Sequence, residues 1–492
     1  MKTIHRVAIA NRGEVAVRII RACEELNLET VLLHSDADID SRAYRLATKT
    51  ICIGPAAAAE SYLNISSNID GALAAGADAI HPGFGFLSEN ADFAQACEKA
   101  GLIFIGPSSA AIRLLGDKIS FKKLAMKAGL PIIPGYEGED QSIDNLIAQT
   151  EKIGLPVMVK AAAGGGGRGM KLIRNQADAK DLLESAQRES LSAFGSAKIF
   201  LEKYLDHAKH IEFQIFGDCT GQVKHFFDRE CSVQRRHQKI IEESLSANLS
   251  SELRREMAEV ACTIATLGKY KNAGTVEFLV QDEKFYLLEV NTRLQVEHPV
   301  TEEIMGIDLV KMQILTAAEK FIFSSKDVRI PNGQSIECRI YAEDPHLNSM
   351  PSVGKIGAMI WPEGPRRRFE YGFEAGDTVT SHYDSMIAKV IVWDENRPRA
   401  IQKMIRTLED CIIFGVHTNI PFLLEILNHP EFTKGTMTTL FIETFFANGI
   451  KSAMDVKNWP SLIYKKYLTN NSTGPTLSAE NQSPWLSSWK GI

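Results

Sequence analysis

The decisive stretch of this chain is TVEFLVQDEKFYLLEVNTRLQVEH, residues 275–298. It contains two apolar, strand-forming runs, each with one carboxylate, Glu277 or Glu289, and a short polar segment between them. If residues 282–284 form a three-residue turn, Glu277 lies opposite Glu289, and the two-residue period of a strand puts Asn291 on the same face. The pattern predicts that three oxygen ligands converge.

Three converging oxygen ligands suit a hard divalent cation. Mg²⁺ is usually held by one or two carboxylates together with substrate phosphates, so the hairpin indicates phosphate chemistry. An acidic residue in an apolar strand can also lie on a solvent-facing side or in an ion pair. The cation is favoured because both carboxylates lie among Val, Phe, Leu and Tyr residues, where an unpaired charge is costly.

Length and composition are those of an ordinary globular protein. A chain of 492 residues is too long for one hydrophobic core, and about 150 residues per domain predicts three domains. Hydrophobic residues make up 45% and charged residues 24%, and no apolar run is long enough to cross a membrane. The N-terminus lacks the features of a signal peptide, so we expect a cytoplasmic protein without a membrane partner.

Charge and cysteine content argue against several classes of protein. The net charge of −6 argues against nucleic acid as a partner. The eight cysteines are scattered without a Cys-x-x-Cys pair, so neither a zinc site nor a disulfide framework is indicated. The cationic run QRRHQK at residues 234–239 is therefore interpreted as a site for a small anion.

The chain divides into three regions and a tail. Residues 1–112 alternate strand-like and helical stretches, which predicts a Rossmann-like α/β domain with a parallel sheet. The first turn lacks Gly-x-Gly-x-x-Gly, so binding of NAD is not favoured. Residues 113–320 and 335–446 each predict an α+β unit, and residues 449–492 predict a weakly structured tail.

A glycine run predicts a mobile lid. Residues 164–169, GGGGRG, lie between a strand that ends at Lys160 and a second strand at residues 170–173. The backbone amides of such a loop can wrap a phosphate, although a plain linker has the same composition and the loop is not a Walker A motif. Lys160 either reaches a phosphate or lies on the surface.

Two further strands contain candidate binding groups. His210, Glu212 and Gln214 alternate with apolar residues and share one face, which is either part of a site or solvated. Residues 202–205, EKYL, end another strand, and their backbone groups are candidates for contact with an adenine edge.

An arginine and a glutamate follow the acidic hairpin directly. Arg293 offers a rigid fork for a planar anion such as bicarbonate or a carboxylate. Glu297 either forms an ion pair with Arg293 or acts as a general base on the anion that the arginine holds.

Several long motifs closely resemble biotin carboxylase. They are KAAAGGGGRGM from Lys160, RECSVQRRHQK from Arg229, EVNTRLQVEHPVTE from Glu289, HPGFGFLSEN from His81 and NRGE from Asn11. The resemblance covers about residues 4–446. It implies an ATP-grasp enzyme in which ATP and bicarbonate give carboxyphosphate, whose CO₂ is transferred to N1′ of biotin. Phosphate released from carboxyphosphate would deprotonate the biotin.

The same resemblance implies the domain types. Residues 1–112 would be the N-terminal biotin carboxylase domain, and residues 113–320 the ATP-grasp domain with its lid at about residues 131–204. Residues 335–446 would be the C-terminal biotin carboxylase domain.

Individual roles are also implied by the resemblance. Binding of ATP is implied for Lys118, Lys160, Gly166, Gly167, Glu202, Lys203, Tyr204, Leu205, His210, Gln234 and His237. Binding of Mg²⁺ or Mn²⁺ is implied for Glu277, Glu289 and Asn291. The bicarbonate site would consist of Lys239, Arg293, Gln295 and Val296, with Glu297 as the base. Arg339 would stabilise the enolate of biotin.

Two departures from the family pattern bear on this interpretation. Ala163 stands where the glycine run of the family often begins, so the flexibility of the lid differs slightly. The biotin-attachment motif is absent, because residues 125–128, AMKA, lack the second methionine and lie in a predicted helix. We therefore expect the biotin on a separate carrier protein and a carboxyltransferase subunit as a further partner. The chain would be the biotin carboxylase subunit, commonly a homodimer, of a multi-subunit acyl-CoA or pyruvate carboxylase.

Two alternatives stay open. Another ATP-grasp ligase, such as half of a carbamoyl phosphate synthetase, shares the metal and glycine features but usually has two copies of the module. A non-catalytic ATP-binding subunit is the second alternative, and the presence of Lys239, Arg293, Glu297 and Arg339 weighs against it.

Overall fold

The computed structural model describes residues 2–161, 170–194, 196–236, 238–324, 330–447 and 449. By contacts between residues, Met1–Gly449 forms one compact unit. The predicted tail lies outside the described residues except for Gly449. Among the described helices, none combines the length and the apolar content that crossing a membrane requires.

The first region forms a parallel sheet because short apolar strands alternate with amphipathic helices. Its elements are β1 (Arg6–Ile9), α1 (Gly13–Glu25), β2 (Glu29–Ser35), α2 (Arg42–Leu46), β3 (Lys49–Gly54), α3 (Ile65–Ala74), β4 (Ala79–His81), α4 (Ala91–Lys99), β5 (Ile103–Phe104) and α5 (Ser109–Gly116). The strand order is β3-β2-β1-β4-β5, and Val7 pairs in parallel with Thr30 and with Ala79. The predicted Rossmann-like sheet is confirmed.

A small antiparallel sheet follows. Its region consists of α6 (Lys118–Lys127), β6 (Gly135–Tyr136), α7 (Ile143–Ile153), β7 (Val157–Ala161), β8 (Lys171–Ile173), α8 (Ala179–Phe194) and β9 (Ile199–Lys203), with the strand order β6-β9-β7-β8. Strands β7 and β8 pair antiparallel, with Val159 opposite Lys171, so the predicted hairpin is confirmed. Its glycine loop, residues 162–169, lies outside the described residues. The motif at residues 125–128 lies at the end of helix α6, as predicted.

The remaining elements build a larger sheet and its cover. They are β10 (Lys209–Gly217), β11 (Val223–Arg235), β12 (Gln238–Ser244), α9 (Ser251–Leu267), β13 (Asn272–Gln281), β14 (Lys284–Asn291), α10 (His298–Met305), α11 (Leu309–Ala317), β15 (Gln334–Tyr341), β16 (Glu343–Asp344), β17 (Met350–Pro351), β18 (Gly354–Lys355), β19 (Ala358–Ile360), β20 (Arg367–Tyr371), β21 (Thr378–Val379), β22 (Met386–Asp394), α12 (Arg397–Asp410), β23 (Ile412–Phe414), α13 (Ile420–Leu427), α14 (Pro430–Lys434) and α15 (Phe441–Phe445).

Eight of these strands form one antiparallel sheet in the order β14-β13-β10-β11-β12-β15-β22-β20. Strand β12 pairs with β15, with Ile241 opposite Cys338. The sheet therefore continues from the second predicted region into the third, and the division into domains by residue number remains a prediction.

The hydrophobic core ties the first region to the segment after the β13–β14 hairpin. Helix α1 is buried along most of its length. Its Val17 and Ile20 belong to the same core as Leu294 and Ile304. This packing places the start of α1 close to the loop that contains Arg293 and Glu297.

Candidate active site

The β13–β14 hairpin brings the two predicted carboxylates together. Its turn consists of residues 282–283 alone, both with positive φ, and Lys284 already belongs to β14, so the predicted three-residue turn is wrong. A bulge farther along the hairpin shifts the register by one residue. Glu277 therefore still lies directly opposite Glu289.

The end of this hairpin supplies oxygen donors of the kind that a hard cation prefers. Asn291 Nδ2 donates to Glu277 Oε1 at 2.8 Å. Glu289 is partly exposed, and its Oε2 lies 3.4 Å from Lys118 Nζ. Two carboxylates and an amide oxygen at one end of a hairpin fit Mg²⁺ or Mn²⁺.

Lys239 lies at the centre of the carboxylate cluster. Its Nζ is 2.6 Å from Glu212 Oε2, 2.9 Å from Glu277 Oε1 and 2.7 Å from Glu297 Oε1. Burial alone would lower the pKa of Lys239, but the three carboxylates raise it well above its usual value. The possible metal-ligand atoms of His210, Glu212 and Glu277 lie within 4.8 Å of one another. The ammonium of Lys239 already bonds Glu212 and Glu277 and neutralises their charge in place of a metal ion.

Glu297 is held as a carboxylate. Burial alone would raise its pKa, but Lys239 and Arg339 hold the pKa well below its usual range. Arg339 Nη2 lies 3.0 Å from Glu297 Oε2 and also pairs with Glu242. Arg293 pairs instead with Glu89, so the predicted alternative of an Arg293–Glu297 ion pair is wrong.

The loop after the hairpin is fixed by contacts on several sides. Arg293 Nη2 donates to Asn291 Oδ1 at 3.1 Å. Gln295 Nε2 donates to Glu277 Oε1 at 2.9 Å. The carbonyl of Val296 accepts a hydrogen bond from Lys389 Nζ at 2.7 Å. Most of the predicted bicarbonate and metal residues therefore form one connected network, which contains Lys239, Glu277, Asn291, Arg293 and Gln295.

The polar face of β10 belongs to this network and is not solvated. His210, Glu212 and Gln214 are all buried. His210 Nε2 lies 2.9 Å from Glu277 Oε2, and its Nδ1 lies 2.8 Å from Gln234 Nε2. The open alternative of a solvated strand face is therefore wrong.

Arg229 is a buried residue of the site that we did not single out from the sequence. Its side chain is fully buried and pairs with Glu212. It also donates to Gln295 Oε1 at 2.7 Å and to Gln214 Oε1 at 2.7 Å. Arg229 lies directly opposite Glu212 in the β10–β11 register, so knowledge of that register would have pointed to it.

The cationic run at residues 234–239 does not form one anion site. Lys239 reaches the carboxylate cluster, whereas Arg235 Nη2 lies 2.5 Å from Glu343 Oε2 and Arg236 Nη2 donates to Asn348 Oδ1 at 3.1 Å. The run spans the β11–β12 hairpin, in which Gln234 pairs with Lys239 and Arg235 with Gln238. The interpretation of the whole run as one small-anion site is therefore wrong, because neighbouring pairs of a hairpin point to opposite faces. The predicted ligand His237 lies outside the described residues.

A second cluster lies where helix α6 meets strands β7 and β9. Glu202 forms ion pairs with both Lys160 and Lys122. Lys122, which sequence reasoning did not single out, also lies 2.7 Å from Glu137 Oε1. The predicted Gly166 and Gly167 lie outside the described residues.

Two backbone amides of the segment 202–205 are already bonded within the chain. The backbone amides of Lys203 and Tyr204 donate to the carbonyls of Pro134 and Pro156, so those two amides are not free for an adenine edge. Lys203 Nζ donates to the carbonyl of Leu155 at 2.7 Å, and its ammonium points into the protein. Leu205 is half-buried.

A cavity of about 480 Å³ opens beside the carboxylate cluster. Arg293, Val296 and Arg339 line one side, and Phe84 and Tyr383 line another. The cavity thus joins the loop after the hairpin to residues of the first and third regions.

Family models match most of the chain. "Biotin carboxylase, N-terminal domain" matches residues 3–112, and "Biotin carboxylase C-terminal domain" matches residues 337–444. "Carbamoyl-phosphate synthase L chain, ATP binding domain" matches residues 117–322, between them.

Curated relatives agree with these models. The chain is 44% identical to the biotin carboxylase of Nostoc sp., over 89% of this chain and 98% of the relative. It is 43% identical to biotin carboxylase 1 of Bacillus subtilis, over 91% of this chain and 100% of the relative. It is also 46% identical to the alpha subunit of methylcrotonoyl-CoA carboxylase of Dictyostelium discoideum, where it spans 64% of the relative's length.

Solved structures share the fold. A Campylobacter jejuni biotin carboxylase in a β,γ-ATP complex has a TM-score of 0.85 and 42% identity, over 90% of this chain and 99% of that one. The biotin carboxylase domain dimer of a Hydrogenobacter thermophilus 2-oxoglutarate carboxylase, bound to MgADP, ADP and bicarbonate, has a TM-score of 0.83 and 42% identity, over 90% and 98% of the two chains. The chain belongs to the biotin carboxylase family.

Proposed function

We propose that this chain uses ATP and bicarbonate to carboxylate biotin on a separate carrier protein. The observation that carries the proposal is the buried contact of Glu297 with Lys239 and Arg339 at the edge of the cavity. It puts a carboxylate base and two cations beside a space large enough for a small ring. Solved relatives of the same fold contain ADP, magnesium and bicarbonate.

Bicarbonate would bind between Arg293, Lys239 and the loop residues Gln295 and Val296. Glu297 would accept its proton. An oxygen of the resulting dianion would attack the γ-phosphorus of ATP, the bond to the β,γ-bridging oxygen would break, and carboxyphosphate and ADP would result. The pKa of Glu297 is low while Lys239 and Arg339 bond to it. If these cations turn toward the bound anion, the pKa of Glu297 rises. Glu297 then becomes a stronger base only when the substrate is bound.

The nucleotide would lie between the two clusters. Glu277, Glu289 and Asn291 would hold Mg²⁺ or Mn²⁺, which supplies positive charge to the phosphates. Lys118 and Lys160 would add cations of the chain itself, and Glu202 lies beside Lys160.

Biotin would enter the cavity and meet Arg339, whose guanidinium would stabilise the negative oxygen of the enolate. We further propose a biotin carrier and a carboxyltransferase subunit as partners, a homodimer as the assembly and the cytoplasm as the location. The dimeric solved relative supports the assembly.

An ATP-cleavage assay tests the proposal. The purified chain should cleave ATP only with bicarbonate and Mg²⁺, and free biotin should stimulate the reaction. A rate of ATP cleavage that free biotin does not change would contradict the assignment. ATP binding without turnover would instead favour the alternative of a non-catalytic ATP-binding subunit.

A further inference from the structure

The fully buried Lys389 contacts the backbone of the loop after β14, which contains proposed bicarbonate residues. Lys389 lies in β22, directly opposite Arg339 of β15, and its side chain is completely inaccessible. Its Nζ donates to the carbonyl of Val296 at 2.7 Å and lies 3.2 Å from Glu14 Oε1. An ammonium in such a place is costly unless its partners hold it.

The carboxylates around Lys389 indicate which group balances its charge. Both oxygens of Glu14 are buried and accept no hydrogen bond among the described residues, so Lys389 is their nearest compensating cation. Glu337 also influences this lysine, and burial raises the pKa of both carboxyl groups, that of Glu337 well above its usual value. Among the described residues, however, Lys389 forms an ion pair with Glu14 and not with Glu337. Glu14 is therefore the counter-ion in direct contact.

The bond to Val296 has a particular place in the loop. Gln295 and Glu297, on either side of Val296, are held by side chains that themselves belong to the site: Arg229 for Gln295, Lys239 and Arg339 for Glu297. In the proposed mechanism, Lys239 and Arg339 turn toward the bound anion. The bond from Lys389 goes to the backbone carbonyl of Val296 and depends on neither of these two cations.

We propose that Lys389, with Glu14 as its counter-ion, is a positioning residue that anchors the Val296 carbonyl and keeps Glu297 in place during the bicarbonate step. The inference rests on the proposed function. It differs from a general structural role because it predicts a defect confined to bicarbonate use, while binding of ATP and the folded state persist.

The test compares Lys389→Met with a matched control, Lys403→Met. Lys403 also bonds a carbonyl, that of Trp393, and a carboxylate, that of Asp394, each at 2.8 Å, but away from the site. For Lys389→Met we expect kcat to fall at least tenfold and the KM for bicarbonate to rise severalfold. Equilibrium binding of ATP should stay within twofold of wild type, and Lys403→Met should match wild type in all three.

Two more variants keep the test decisive if Lys389→Met does not fold. Lys389→Gln retains an N–H donor toward the carbonyl and should keep more bicarbonate-dependent turnover than Lys389→Met. Glu14→Gln, which leaves Lys389 without its counter-ion, should show the same pattern of defects in a milder form. Unchanged bicarbonate kinetics in Lys389→Gln and Glu14→Gln, or parallel losses of ATP binding and turnover, would overturn the inference.

The wild-type assay comes first. If the wild-type chain shows no bicarbonate-dependent ATP cleavage, the proposed function fails and the inference falls with it. If the wild type is active and the Lys389 variants use bicarbonate normally, the inference alone fails.

Discussion

At the scale of the residue, one carboxylate, Glu297, is held by two cations. Glu297 bonds both Lys239 and Arg339, and each cation has a second carboxylate partner nearby. Its partners therefore hold the proposed base as a carboxylate. Both partners of Glu297 come from distant strands. The sequence around Glu297 therefore could not decide between an ion pair with Arg293 and a general base.

Replacing the base should separate chemistry from binding. Glu297→Gln keeps the shape of the side chain but removes the proton acceptor, so we expect kcat to fall by about 100-fold or more. The dissociation constant of ATP, measured by calorimetry, should change by less than about threefold because Glu202 and Lys160 form a separate cluster. Comparable losses in both quantities would remove the proposed role of the base.

Glu242 should make stability depend on pH near neutrality. Burial, partly offset by Arg339, raises its pKa from 4.5 to about 7. Between these two pH values the folded state binds a proton that the unfolded state has lost, so stability declines as the pH rises through this window. Glu242→Gln removes this decline. Its melting temperature relative to wild type should rise from pH 5 to pH 8, and a constant difference would contradict the assignment.

At the scale of the element, α6, β7 and β9 meet beside the proposed nucleotide site. Glu202 on β9 has two lysine partners, Lys160 on β7 and Lys122 on α6. If ATP draws Lys160 toward its phosphates, Lys122 remains to balance the buried carboxylate. Glu202 therefore keeps a lysine partner in both states.

Loss of the second lysine should weaken use of ATP. For Lys122→Met we expect the KM for ATP to rise about tenfold, the size of one charge-assisted hydrogen bond. The KM for bicarbonate should not change. Lys123→Met is the matched control because Lys123 is the exposed neighbour on the same helix. Equal effects of the two substitutions would show that Lys122 has no special part.

At the scale of the whole molecule, buried ion pairs join segments that are far apart in sequence. Glu302 on α10 lies 3.0 Å from Arg18 on α1 and 2.8 Å from Arg368 on β20. Burial alone would raise the pKa of Glu302, but the two arginines lower it. Stabilisation from this carboxylate is therefore complete above its unfolded pKa of about 4.3 and is lost as the pH falls through the lower folded value.

Removal of the Glu302 carboxylate should lower the free energy of unfolding most at neutral pH. Glu302→Gln removes a partner of the buried Arg18 and the half-buried Arg368. We expect a loss of about 3 kcal/mol at pH 7 that shrinks below about pH 4. Denaturant unfolding at pH 7 and pH 3.5 measures both values. Glu395→Gln, which removes an exposed pair with Arg399, should change stability by less than about 0.5 kcal/mol.

Local patterns were enough for much of this protein. The predicted pairing of Glu277 with Glu289 is confirmed even though the predicted turn was one residue too long. The bulge shifts the register by one residue and so offsets that error. Alternating apolar strands and helices likewise predicted the parallel sheet. Motifs of consecutive residues were enough to identify the family.

The tertiary structure decided the partners of those residues. Arg293 pairs with Glu89 across 204 positions, and Lys389 bonds Val296 across 93. Such contacts depend on the order of the eight strands in the large sheet and on the packing of α1 against the loop. Neither follows from periodicity, because a strand's alternation states which side chains share a face but not which strand lies beside it.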